Sequence, residues 1–175
     1  SSDLAPIFTA NLCEDDRKRD VLKFLKMADF HISDIKVETT EFNIAELPAD
    51  MPEPLKDFLS QNLKGEKKLQ LETIHVDNNG KPVPFNFHDE SDGTQKFFAF
   101  AGPILDVLKN GYVLCIDELN VNLHPKLVQF LVELFHSKES NTKNAQLIFT
   151  THETSILTQD VFRRDQIWFC ERSKE

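Results

Sequence analysis

Two adjacent carboxylates, Asp117 and Glu118, follow the apolar run Tyr112-Val113-Leu114-Cys115-Ile116. Such a run reads as a strand buried on both faces of a parallel sheet, and open α/β sheets bind ligands at the C-terminal ends of their strands. Neighbouring side chains on a strand point to opposite faces, so both acids can serve one site only where the strand ends. There the first suits a Mg²⁺ ion held through water, and the second suits an attacking water in line with a γ-phosphate. A solvated acid pair in a turn is the plain alternative; the apolar residues upstream argue for the strand. Glu90-Ser91-Asp92-Gly93-Thr94-Gln95 comes just before a helical pattern. Ser91 suits the N-cap, Gly93 allows close approach of backbone, and the free N–H groups of the first turn attract anions. Taken alone, that segment reads better as an ordinary N-cap. His152 follows the run Gln146–Thr151. At a strand tip it could reach a γ-phosphate; on its own it reads as a surface imidazole.

The elements that must position these residues are legible in the periodicities. Phe97, Ala101, Ile104, Leu105 and Leu108 fall at helical spacing, with Gly111 placed as a C-cap. Leu123, Leu127, Phe130, Leu131 and Leu134 mark a second amphipathic helix with Pro125 in its first turn. Strands are expected at 112–117, 146–150 and 165–170, with a short helix before the last. Strand–helix–strand spacing of this length implies parallel neighbours. Upstream, residues 1–12 read as extended. A helix capped by Asp15 or Asp16 runs to about Ala28, with Val21, Leu22, Leu25 and Ala28 on one face. Ile35, Val37, Thr39 and Phe42 alternate like a strand, and LPADMPEP (47–54) reads as a loop before a short helix at 55–63. Leu69–Val76 and Val83–Phe87 flank Asp77-Asn78-Asn79-Gly80, a hairpin signal. The expected class is α/β: a helix and antiparallel meander over 1–87, then a lobe of parallel strands with flanking helices over 88–175.

In order and spacing, ESDGTQKFF, YVLCIDELNVNLHP and QLIFTTHE resemble the signature motif, Walker B strand, D-loop and switch histidine of ABC-type ATPases. The resemblance is nearest to bacterial stand-alone AAA/ABC-like ATPases with relatives in phage-defence systems and among SMC/Rad50-like proteins. It is close over about 88–171, including RRDQIWF (163–169), and looser over 12–45. It implies the C-terminal portion of a P-loop NTPase-like core. Ser91 and Gly93, with Gln95 a weaker member, would contact the γ-phosphate of ATP held by a partner subunit. Asp117 would support Mg²⁺, Glu118 would be the catalytic carboxylate and His152 the γ-phosphate sensor. Asn120, Asn122 and His124 would lie in a D-loop across a homodimer interface. The segment departs from the family pattern at Asp92, which places an acid beside a phosphate site.

The 175 residues contain no G-x-x-x-x-G-K-[ST] loop, although cradling a phosphate takes a run of backbone N–H groups and a lysine. The expectation is therefore a C-terminal portion of a longer ATPase, inactive alone; a degenerate ATPase is the alternative. A net charge of −9 argues against a general nucleic-acid-coating surface, but leaves a local contact open. The basic run Arg17-Lys18-Arg19 with Lys23 and Lys26 reads first as a solvated helix face. No apolar stretch reaches membrane-spanning length. Three scattered cysteines fit a reducing, cytoplasmic setting and packing roles. His75, His88, Asp89 and Glu90 match no common metal-site spacing. Two rival readings remain: a Toprim-like metal-dependent nuclease, which needs further acids on a neighbouring strand, and a non-catalytic interaction module. The defence-system resemblance makes a nuclease or toxin effector plausible as a partner.

Overall fold

The computed structural model describes residues 6–14, 16–41, 51–56 and 67–171. Phe42, the first half of the 47–54 loop and most of the 55–63 helix lie outside these residues. In chain order the elements are α1 (Ile7–Glu14), α2 (Lys18–Met27), β1 (Asp34–Glu41), β2 (Lys67–Val76), β3 (Pro82–Asn86) and a 3₁₀ turn (Phe87–Asp89). There follow α3 (Asp92–Asn110), β4 (Val113–Ile116), α4 (Pro125–His136), β5 (Gln146–Phe149) and a second 3₁₀ turn (Arg164–Gln166). The chain has an α/β architecture. β1, β2 and β3 form an antiparallel sheet in that order, and β4 and β5 form a parallel pair.

Helix α3 is the central beam. Phe97, Phe98, Phe100, Ala101 and Ile104 are buried. Phe97 stacks on Phe24 of α2 (5.0 Å between centroids) and on Phe30 (4.9 Å), with Phe130 of α4 at 6.1 Å. Gly111 ends the helix in the left-handed region at φ 76°, where a side chain would be strained.

Pro103 sits inside α3 and has no N–H to give the Ala99 carbonyl four residues earlier. The buried Thr9 hydroxyl of α1 supplies the missing donor, 3.3 Å from Ala99 O, and accepts from Gly102 N at 2.9 Å. Contact this close requires glycine at 102, because a Cβ there would lie 2.7 Å from Thr9 Oγ1 and from Phe8 Cδ1. Thr9→Val keeps the shape but strands both polar groups. The expected loss is about 1–3 kcal/mol in urea unfolding, with Thr9→Ser recovering most of it.

Several expectations are corrected. The 1–12 stretch contains α1; its weak periodicity hid a helix held by tertiary contact with α3. From His152 to Arg163 the described residues form only turns, and the expected short helix is reduced to the 3₁₀ turn at Arg164–Gln166. Residues Ile167–Cys170 form no strand, and Trp168 and Phe169 are 86% and 84% exposed. β4 and β5 are covered on one face only. Leu114, Ile116, Leu147 and Phe149 meet the core, while Val113 and Ile148 are 54% and 58% exposed. Among the described residues the pair has no layer on its other side. Cys115 and Cys170 are exposed as well. Only Cys13 is buried, and burial pushes its thiol up to about 11, which keeps it protonated and inert. Among the described residues, no helix is long and apolar enough to cross a membrane.

Candidate nucleotide-facing site

Parallel pairing of Ile116 with Phe149 brings both strands out on the same rim. Pairing continues beyond the strands, with Thr150 N donating to Ile116 O and Leu119 N to Thr150 O, each at 3.0 Å. Asp117 and Thr150 are therefore opposite each other. The Thr150 hydroxyl donates to Asp117 Oδ1 and accepts from Glu118 N at 2.8 Å. Asp117 Oδ2 makes no hydrogen bond among the described residues. Glu118 adopts φ 51°, a left-handed conformation that costs a non-glycine residue about 1–3 kcal/mol. The Thr150 bond before it and fully buried Leu119 after it hold it there. The turn separates the two carboxylates from the strand, and both are exposed.

The next residue along this tip of β5, Thr151, serves the other half of the rim. Its hydroxyl donates to Asn120 Oδ1 at 2.9 Å. That fixes the amide so that Asn120 Nδ2 lies 2.9 Å from His152 Nε2 and 3.4 Å from Nδ1. Asn120 thus steadies the imidazole of its own chain. Beside it, the exposed Glu153 carboxylate is held below its usual range by hydrogen bonds from Ser155.

The head of α3 reaches the same rim. Ser91 caps it, accepting from Thr94 N at 3.1 Å, and Ser91 is exposed rather than packed in the core. A Cβ on Gly93 would lie 3.2 Å from Asn122 O, and Lys96 Nζ donates to Val121 O. The 120–124 turn therefore lies directly against the head of α3. Asn122 takes φ 59°, a conformation asparagine tolerates. His124 caps α4, its Nδ1 accepting from Lys126 N at 3.2 Å. Gln95 points its amide inward, to the carbonyls of Glu90 (2.8 Å) and His88 (3.2 Å), so it braces the turn instead of presenting that group outward.

Of the sequence candidates, Ser91, Gly93, Asp117, Glu118, Asn120, Asn122 and His152 gather along one rim. The periodicities did not flag Thr150 and Thr151. The available signal was register: a threonine opposite the first acid places a hydroxyl between two strand tips. Among the described residues no three His, Cys, Asp or Glu side chains converge as a metal-binding group. His75 and Glu90 meet, with Thr73 as their third member.

Residues 29–158 match the family described as "AAA domain, putative AbiEii toxin, Type IV TA system". The chain belongs to that family. The match spans all three rim segments and the whole antiparallel sheet, and starts after α2. It makes this an ATPase-type domain of the AAA class, a class that uses ATP and Mg²⁺. No curated protein and no solved structure matches the chain.

Proposed function

We propose that this chain is the C-terminal part of an ABC-type ATPase head that closes as a homodimer around ATP. One observation carries the reading: the acid pair, the Asn120-steadied His152 and the Ser91–Gly93 helix head lie along one rim, joined by the Thr150 hydroxyl and the Gly93–Asn122 contact. Asp117 would hold the cation's water through Oδ2, while Thr150 fixes its other oxygen. Mg²⁺ would neutralise charge on the phosphates. Glu118 would polarise the attacking water and His152 would contact the γ-phosphate. Exposed Ser91, Asp92 and Asn122 would face ATP held by a second copy. Asn120 and His124 act within their own chain, so Asn122 is the D-loop residue best placed to cross the interface.

The reading also requires a phosphate cradle that these residues do not contain. The bare Val113–Ile148 face supports further polypeptide packing there, since parallel sheets ordinarily bury both faces. The family name points to a toxin system, which supports a nuclease or toxin effector as partner and a role in defence.

The test is Mg²⁺-dependent ATP hydrolysis by the protein complete with its cradle. Turnover supports the reading. Mg²⁺-dependent nucleic-acid cleavage abolished by Asp117→Ala, with no ATP turnover, supports the nuclease instead. The β5 tip offers Thr150, Thr151 and His152 rather than the extra acids a two-metal nuclease uses. A complete chain without any cradle supports the interaction module. Within the ATPase reading, Thr150→Val releases Asp117 and the Glu118 amide together. Steady-state kinetics should show kcat falling about 10–100-fold, the scale of a misplaced reacting group, with Thr150→Ser near wild type.

A further inference from the structure

Glu90, the residue before the cap of α3, carries a carboxylate only 11% exposed, and its Oε1 lies 2.6 Å from His75 Nε2. The fully buried Thr73 hydroxyl donates to the same oxygen. Thr73 and His75 are alternate residues of β2, the middle strand of the antiparallel sheet, so they share one face. His75 is fixed in turn by edge-on contact with Phe85 of β3, 5.0 Å between centroids. The connection from Glu90 to the helix head is short and stiff. Glu90 N donates to Phe87 O, Gln95 clamps the Glu90 carbonyl, and Phe87 is buried against Phe98. A mere anchor at this place would be cheaper as an apolar side chain. A buried carboxylate is tolerated only while its partners hold their geometry.

We propose that Glu90 is a positioning residue. It locks the Ser91–Gly93 head of α3 to the antiparallel sheet through Thr73 and His75, so the stance of that head toward a partner-held phosphate follows the sheet. The phosphate end of this inference rests on the ATPase reading; the lock itself does not.

The experiment compares Glu90→Ala, Glu90→Gln and the isosteric Thr73→Val by two measurements. Without nucleotide, hydrogen exchange at the Thr94 and Gln95 amides should accelerate about tenfold in Glu90→Ala and Thr73→Val, the equivalent of one hydrogen bond. The β4 and β5 amides should be unchanged. Glu90→Gln, which keeps an acceptor for Thr73, should recover most of the protection. In the Glu118→Gln background, ATP-driven association should weaken about tenfold, while nucleotide affinity of the monomer stays within about twofold. Unchanged exchange at Thr94 and Gln95 in both variants overturns the lock. Faster exchange with undiminished association overturns the positioning role. Should the Glu118→Gln parent fail to associate with ATP at all, the ATPase reading fails, and the exchange measurement alone decides the lock.

Discussion

Glu118→Gln is expected to lower ATP turnover by about 10²–10⁴-fold, the usual contribution of a positioned general base. The amide keeps the size of the carboxylate and can still accept a hydrogen bond, but it cannot take a proton. Glu118 is the candidate because its backbone, not only its charge, is specified. It leaves the strand at φ 51°, tied by its own N–H to Thr150. The side chain makes none of the contacts that set this geometry, so the substitution should leave the fold unaltered. Nucleotide affinity should therefore change little, and the loss should appear in kcat. Turnover within about threefold of wild type would remove Glu118 from the catalytic role.

Phe97→Ala carries the largest expected loss of stability, about 3–5 kcal/mol. Phe97 is fully buried and stacks on both Phe24 and Phe30. Truncation removes its burial and leaves a cavity between helices that cannot close together around a rigid beam. Because Phe97 lies on the helix headed by Ser91, the effect should reach the site. Phe97→Leu, which refills most of the space, should cost less than half as much. Urea unfolding of the two variants separates packing volume from aromatic stacking.

What the sequence revealed followed from how far each element's stability is local. α3 and α4 have strong amphipathic stripes, a Ser91 cap, a Gly111 stop and Pro125 in the first turn, and both form as expected. The hairpin follows from Asp77-Asn78-Asn79-Gly80, where Asp77 Oδ1 accepts from the Asn79 and Lys81 amides at 2.8 Å. α1 escaped notice because its hydrogen-bonding and packing partners lie about ninety residues away in α3. The exposed strand faces and the unpaired Ile167–Cys170 run escaped for the opposite reason. Their sequences are apolar enough for a buried sheet, but pattern alone does not reveal what covers it. At the rim, residue types named the acids, the serine and the histidine. Only strand register could name Thr150 and Thr151, and only contact geometry could turn Asn120 toward His152. Spacing gives His75, His88, Asp89 and Glu90 no common metal site, and only the fold shows Glu90 beside Thr73 and His75.

The central claim is that three separate segments form one half of a nucleotide sandwich completed by a second copy. Sedimentation of the Glu118→Gln protein, complete with its phosphate cradle, with and without Mg²⁺ and ATP tests this most directly. The account requires a nucleotide-dependent shift from monomer to dimer that is lost in Ser91→Arg. A species that sediments identically with and without ATP, or a dimer indifferent to Ser91→Arg, would contradict it.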